Sequence, residues 1–348
     1  MGLNYSEIDD AVLAVQDVYI NRGSFLDLTS DLQDHIAVRE LWGKRRKAFE
    51  GGNNWKFTVQ MDHNHSYKAV GMYETDSSTM VDTLTEGYME PRHVNAHYEY
   101  DLRHPAFQGG RAKIVDYVQV KLNEMKVSYW EGLETDCWTC PSASDNKSIH
   151  GIPYWITKCD NGEEGFYGDD PSGYESIGRA HILSSSYPRW RNYAADYESI
   201  SKTDLVRKMR EGSYAIRFRS PLSHAEPNLG AMGNGIYVNR NTIVLIEELL
   251  ETQNMNLGTD LDSMGGRARF KSSPLIYVPY LDSDTTDPVY MIDWKWMAFG
   301  TLPGWSDTTQ PPYMVPNKHL VRRVDWDATL ELVCTNLRRQ AVFSKVAA

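Results

Sequence analysis

Between Gly109 and Trp138, Val115, Val118, Leu122, Met125 and Tyr129 recur at alternating three- and four-residue steps. That spacing puts all five on one face of an α-helix, with Ile114 and Leu133 widening the stripe. Lys113, Asp116, Lys121, Glu124, Lys126 and Glu131 fall on the remaining surface. No Gly or Pro interrupts Arg111 to Glu131; Pro105 stands before the pattern, and a Cys/Pro/Ser/Asp loop from Cys140 to Asn146 follows it. The pattern predicts one long helix, a rod on the order of 37 Å if about 25 residues are helical.

Upstream, Ser6 reads as an N-cap with Asp9 three residues on, and Ile8, Val12, Val15 and Tyr19 continue at helical spacing to about Ile20. A second amphipathic piece runs from Asp31 to Leu41 and is extended by Lys44-Arg45-Arg46-Lys47 to the break at Glu50-Gly51-Gly52. The first fifty residues thus predict an arm of short helices without a core of its own. Trp55 to Met61 then alternates at period two, and Asn95 to Tyr100 does so less strictly, which predicts strands. Asp62 to Pro91 between them is polar and suits a projecting hairpin or loop that relies on a neighbour for its order.

Beyond the long helix, Gly151-Ile152-Pro153-Tyr154-Trp155-Ile156 reads as a short apolar strand, followed by the Gly/Asp/Pro-rich run Asn161 to Gly173. A helix is predicted over Thr203 to Glu211, ending at Gly212. Ile236-Tyr237-Val238 is a strand leading into a helix over Thr242 to Thr252; Phe270 to Tyr280 and Val289 to Trp296 are further strand zones. The tail reads as a strand with Leu320 and Val324, a second apolar run Ala328 to Cys334, and a closing stretch Asn336 to Phe343.

Composition narrows the class. The hydrophobic share of 41% and charged share of 24% over 348 residues are those of a globular chain. No window approaches a membrane span, and Met1 to Asp10 has neither a basic start nor an apolar signal core, so the expectation is a cytosolic product. Met1-Gly2-Leu3-Asn4-Tyr5-Ser6 fits the loose myristoylation pattern and is read as a chance match. A net charge of −11 spread along the chain repels phosphate; the one compact basic run, Lys44 to Lys47, is read as a solvated helix face.

Candidate chemistry is sparse. Cys137-Trp138-Thr139-Cys140 has the spacing of a zinc half-site or a thioredoxin-like motif, but a second pair is missing, with only Cys159, Cys334 and His150 available. Reduced thiols are the preferred reading. Asp62-His63-Asn64-His65 could be metal ligands or a nuclease-like His-Asn-His and is read as a polar loop. Gly230 to Gly235 lacks the strand before and the Lys-Ser/Thr after that a phosphate loop needs. The Arg322-Arg323 and Arg338-Arg339 pairs are either phosphate ligands or partners of nearby carboxylates. Tyr187, Trp190, Tyr193 and Tyr197 are placed at loop edges, where they would line a sugar or nucleobase site in an enzyme or supply rigid contact area between subunits; the absence of an accompanying acid/base pair favours the second.

Several stretches share one order: Gly151 to Ile156 after the long helix, Ile236-Tyr237-Val238-Asn239 running into a helix, Ser273 to Pro279, Pro288 to Trp294, and Val333 to Val342. In that order they resemble the major capsid proteins of tailed bacteriophages with the Hong Kong 97-type fold, well from about residue 100 onward and only in outline in the arm. The resemblance implies an α+β fold: an N-terminal arm (1–51), an extended loop overlapping a neighbour (52–104), the spine helix of a peripheral domain (105–138), an axial domain around capsomer centres (139–305) and C-terminal strands of the peripheral domain (306–348). It implies a structural protein, not an enzyme, forming pentamers and hexamers of an icosahedral head around double-stranded DNA, assembled in the host cytoplasm and located in the virion. Implied partners are further copies of the chain, a scaffolding protein, a portal, decoration proteins and weakly contacted DNA. About fifty residues before Gly51 are too few for a fused scaffold of ~100, so the scaffold is expected in trans. The family's autocatalytic Lys–Asn crosslink finds no matching residues, and no catalytic, cofactor or metal residue is assigned. The alternative is an intracellular α/β enzyme with a metal or redox site near Cys137, Cys140 and His150.

Overall fold

The computed structural model describes residues 35–49, 52–62, 67–72, 83–103, 111–159, 162–218, 234–253, 268–271 and 273–346, with only the backbone at 111–120 and 251–253. The expected helix from Ile8 to Ile20, the stretch His63 to His65 and most of Gly230 to Gly235 lie outside them.

In chain order, helix α1 (Ile36–Lys44) is followed by β1 (Arg46–Ala48), β2 (Trp55–Gln60), β3 (Leu84–Met89), β4 (Arg92–Asp101), the long helix α2 (Arg111–Cys137) and a single helical turn, α3 (Ile152–Trp155). Then come β5 (Glu164–Gly168), β6 (Asn192–Tyr197), α4 (Leu205–Ala215), β7 (Asn234–Val238), α5 (Arg240–Gln253), β8 (Arg269–Phe270), β9 (Ser273–Tyr277), β10 (Val289–Asp293), β11 (Met297–Thr301), β12 (Thr308–Thr309), β13 (Tyr313–Met314), β14 (Val321–Cys334) and β15 (Ala341–Lys345).

The long helix is continuous, as its periodicity predicts. Leu122 and Met125 close a core with Tyr98 and Tyr100 of β4 and Val324 and Trp326 of β14, while Tyr129 and Leu133 enter the main core. Lys126, placed on the solvated face by the sequence, is instead buried with its ammonium 5.3 Å from the Trp326 ring centroid. Its stem covers apolar surface and its charge faces the indole.

Strand β14 is the hinge of the first sheet, whose order is β1-β11-β14-β12 with β4 and β13 also on β14. The tail's two expected apolar runs are one strand. It pairs with β4 from Val321↔Asp101 to Leu330↔Arg92 and with β11 from Leu330 to Cys334. The Arg322-Arg323 step does not break it, because Arg323 donates to Asp325 Oδ1 at 2.7 Å along the strand.

The second sheet has the order β5-β6-β15-β10-β7-β9-β8. Its runs 236–238 in β7, 289–292 in β10 and 341–343 in β15 are continuously apolar because both faces are covered there. Ala194, Tyr237, Tyr290, Ile292 and Val342 face the main core. Their neighbours Tyr193, Ala195, Ile236, Val238, Val289, Met291, Ala341 and Phe343 belong to a second core with Leu205 and Met209 of α4 and Ile246 of α5. β15 crosses to this sheet after β14 and inserts between β6, in parallel, and β10, antiparallel.

Three further expectations are corrected. Gly151 to Ile156 is a helical turn, not a strand: a Cβ at Gly151 would stand 2.3 Å from the carbonyl oxygens of Asp136 and Thr139, so the chain turns tightly against the end of α2. Helix α4 passes Gly212 and reaches Ala215, since that glycine lies against the Phe343 and Tyr193 rings. Tyr193 and Tyr197 are not at loop edges but inside β6, a strand buried along its whole length.

Candidate assembly interface

β2 and β3 form a two-stranded sheet of their own, registered from Trp55↔Met89 to Gln60↔Leu84. Alternation in β2 buries Trp55, whose ring stacks on Phe49 at 4.6 Å and 7°. On the partner strand Tyr88 donates its N–H to Ala180 O at 3.1 Å, and its ring stacks on His181 at 3.8 Å. Asp62 pairs with Arg189 at 3.1 Å. The hairpin is thereby fixed to the body at its root. Beyond the root, Tyr67 is 95% exposed and Met72 89%, with Val70 and Leu84 also outward. Apolar side chains of this size exposed to water offer a contact surface. Trp305, Tyr313 and Met314 form a second exposed set around the edge strands β12 and β13.

Helix α1 is tied to the long helix by a buried carboxylate. Glu134 accepts the N–H groups of Ala37 at 3.0 Å and Val38 at 2.8 Å, the first turn of α1, and the indole N–H of Trp138 at 2.7 Å. The first-turn donors of a helix have no intrahelical partner, and a negative charge there also suits the helix dipole. Burial pushes the Glu134 carboxyl up, and its three hydrogen bonds oppose that rise.

The basic cluster behind α1 is solvated at Lys44, Arg46 and Lys47, as expected, but it is not a helix face throughout. The helix ends at Lys44, and Arg46 and Lys47 lie in β1, paired in parallel with β11. Arg46 meets Asp307 at 2.9 Å and lies 5.0 Å from the Trp42 ring centroid, and the Arg45 side chain is only 9% exposed.

A second buried clamp joins α3 to the β5–β6 region. Arg179, fully buried, donates to the carbonyls of Trp155 at 2.8 Å, Gly168 at 2.8 Å and Trp190 at 3.0 Å, and to Asn192 Oδ1 at 2.9 Å. Burial lowers its pKa to about 10, which leaves it charged at neutral pH. Nothing in the local sequence singles out this arginine.

Structures of known proteins resemble this arrangement across most of the chain. The cyanophage A-1(L) capsid asymmetric unit is similar with a TM-score of 0.61 and 12% identity over 90% of this chain and 93% of that one. The capsid of the empty GTA particle matches with a TM-score of 0.57 and 10% identity over 90% of both chains. The capsid of the native GTA particle gives 0.55 and 8% over 90% and 91%. The chain has the Hong Kong 97-type capsid fold. No family model and no curated protein matches the sequence.

Within this capsid fold the cysteines occupy interior positions. Cys137 is fully buried at the end of α2, with burial raising its thiol well above the usual range, and Cys140, half-buried, is pushed up to about 11. His150 does not face them as a ligand: its backbone N–H donates to Glu331 Oε1 at 2.9 Å, and its Nδ1 lies 3.3 Å from the same oxygen. Among the described residues no group of three or more His, Cys, Asp or Glu side chains could hold a metal ion, and no helix is long and apolar enough to cross a membrane. Of the arginine pairs, Arg339 donates to Ile216 O at 3.1 Å and Arg338 lies 3.8 Å from the Phe166 ring centroid.

Proposed function

We propose that this chain is the major capsid protein of a tailed bacteriophage, a structural subunit that assembles as pentamers and hexamers into an icosahedral head enclosing double-stranded DNA. The observation that carries the reading is the hairpin: anchored at its root, it presents Tyr67, Val70 and Met72 to solvent in a chain whose capsid fold matches phage shells over 90% of its length. Such side chains suit a neighbour's surface.

In this reading residues 1–51 are the arm, and β2 with β3 is the part of 52–104 that overlaps the next subunit. α2 and the β14 sheet are the peripheral domain. The axial domain is the seven-stranded sheet with α4 and α5, and it takes in β15 from the C-terminal segment. Further copies of the chain are the principal partners. A scaffolding protein and portal act in assembly, decoration proteins cover the shell, and DNA is held by weak contact because the net charge of −11 disfavours a phosphate-binding lining. Assembly takes place in the host cytoplasm.

Sedimentation of the purified protein, alone and with a scaffold partner, tests this. Rings and shells support the reading; a monomer or simple dimer under all these conditions refutes it.

A further inference from the structure

The register of the hairpin fixes which way the backbone of β2 points. Met61 donates its N–H to Thr83 O at 3.0 Å, on the inner side of the pair, and Tyr88, opposite Lys56, donates to Ala180 O on the outer side. In an antiparallel pair these directions alternate from one residue to the next. The N–H and C=O groups of Trp55, Phe57 and Val59 therefore face β3, and those of Lys56, Thr58 and Gln60 face outward. Among the described residues no backbone hydrogen bond reaches these outward groups. The side chains of Lys56, Thr58 and Gln60 are exposed as well, so nothing on that face bars a further strand.

Open edges are commonly blunted by proline, bulges or charge. The β5 edge is interrupted by a register shift between Gly165 and Gly168, and β13 lies between Pro311-Pro312 and Pro316. β4 ends a six-stranded sheet that rests on a core of its own. β2 differs from all of these. It has neither proline nor glycine from Trp55 to Met61, pairs with β3 without a bulge, and carries one charge, Lys56, which lies 3.8 Å from Glu86 on the partner strand. It also belongs to a sheet of only two strands, the kind that gains most from another.

The strand is complementary to itself. About Thr58, Lys56 mirrors Gln60 and Phe57 mirrors Val59. Laid antiparallel on a second copy with Thr58 at the centre, Thr58 stands opposite Thr58, Lys56 opposite Gln60 and Phe57 opposite Val59. Every outward N–H and C=O of Lys56, Thr58 and Gln60 then has a partner. Thr–Thr and aromatic–β-branched pairs are favourable across strands, and the two Lys56 side chains stand roughly 14 Å apart along the strand direction.

We infer that β2 pairs edge to edge with β2 of a second copy of this chain, antiparallel and two-fold symmetric about Thr58, so that two hairpins join into one four-stranded sheet. Such a contact is isologous. It is separate from the contact assigned above to Tyr67, Val70 and Met72, and it rests on the hairpin's register and not on the capsid reading.

The test uses the full-length purified protein at high concentration with Thr58→Cys, treated with a short bis-methanethiosulfonate reagent and mapped by peptide mass spectrometry. A two-fold axis through position 58 brings the two copies of that position to about 5.5 Å between Cα atoms, so chain-to-chain links there should exceed those of Lys56→Cys or Gln60→Cys alone by about tenfold. Lys56→Cys and Gln60→Cys chains mixed together should link to each other as well as Thr58→Cys does to itself. The parent, treated in parallel, gives the background from the native cysteines. Thr58→Pro removes an outward N–H that the β3 ladder does not use, and should abolish the links of the mixed chains. In hydrogen exchange, the amides of Lys56, Thr58 and Gln60 should gain protection as the parent is concentrated, while those of Phe57 and Val59 stay protected throughout. Equal yields at the three positions, no links at any of them, or links from position 58 to a different part of the chain would overturn the assignment.

Discussion

Glu134 Oε2 lies 2.8 Å from the backbone nitrogen of Val38, so a buried carboxylate on the long helix closes the first turn of a helix 96 residues earlier in the chain. Helix α1 is therefore held at a fixed point of the body, and the strand β1 that follows joins the β11 edge in register.

Replacing Glu134 by Ala orphans two backbone donors and the Trp138 indole N–H. The expected cost is about 3 kcal/mol or more, and Glu134→Gln, which keeps one acceptor, should lose about 1–2 kcal/mol. Chemical denaturation of the two variants against the parent checks the order.

Glu331 offers a pH signature. It is fully buried and its carboxyl is raised, first by burial, against opposing hydrogen bonds and charge from His150 and Arg92. The folded chain thus takes up this proton at a higher pH than the unfolded chain. Its contribution is full below the ordinary glutamate value and is lost as pH rises through the folded value. The thermal midpoint of the parent minus that of Glu331→Gln should therefore shrink as pH rises from about 4.5. A difference that grows with pH would contradict the assignment.

Arg179 reaches three carbonyls and an amide oxygen with two nitrogens, a fork a lysine cannot reproduce. Arg179→Lys should destabilise by about 3 kcal/mol and reduce soluble yield, measured by denaturation and by the soluble fraction on expression.

Two glycines near the end of α2 should respond oppositely. Gly132→Ala meets nothing within 4 Å in the helix and should stabilise by about 1 kcal/mol. Gly151→Ala would press a methyl onto backbone carbonyls and should prevent native folding. Thermal midpoints distinguish the pair.

The long helix was readable because one of its faces repeats at 3.6 residues and Leu122, Met125, Tyr129 and Leu133 follow it into the core. β7 and β10 were readable as short apolar runs. β6 was not: Asn192-Tyr193-Ala194-Ala195-Asp196-Tyr197 carries two polar residues that only tertiary partners satisfy. Asn192 takes Arg179 and Thr157, and Asp196 takes Ser344 and the Gly162 N–H. Glu134 and Lys126 likewise resemble solvated helix positions until the elements packed over them are known. The basic run at Lys44 to Lys47 is solvated as read, but pairing with β11 turns its expected helical continuation into a strand. The order of elements survived these local errors, and that order carried the likeness to the capsid fold.

The hairpin's outer side chains should matter to assembly and not to folding. Tyr67→Ser, Val70→Ser and Met72→Ser together remove exposed apolar surface, so the unfolding free energy should stay within about 0.5 kcal/mol of the parent while assembly is lost. Sedimentation and denaturation of the triple variant read the two effects separately.

Electron microscopy of the purified protein, alone and together with the products of neighbouring genes, tests the central claim most directly. Closed icosahedral shells, or the pentameric and hexameric rings that build them, are the expected result. Uniform monomers or simple dimers under every such condition would contradict the account.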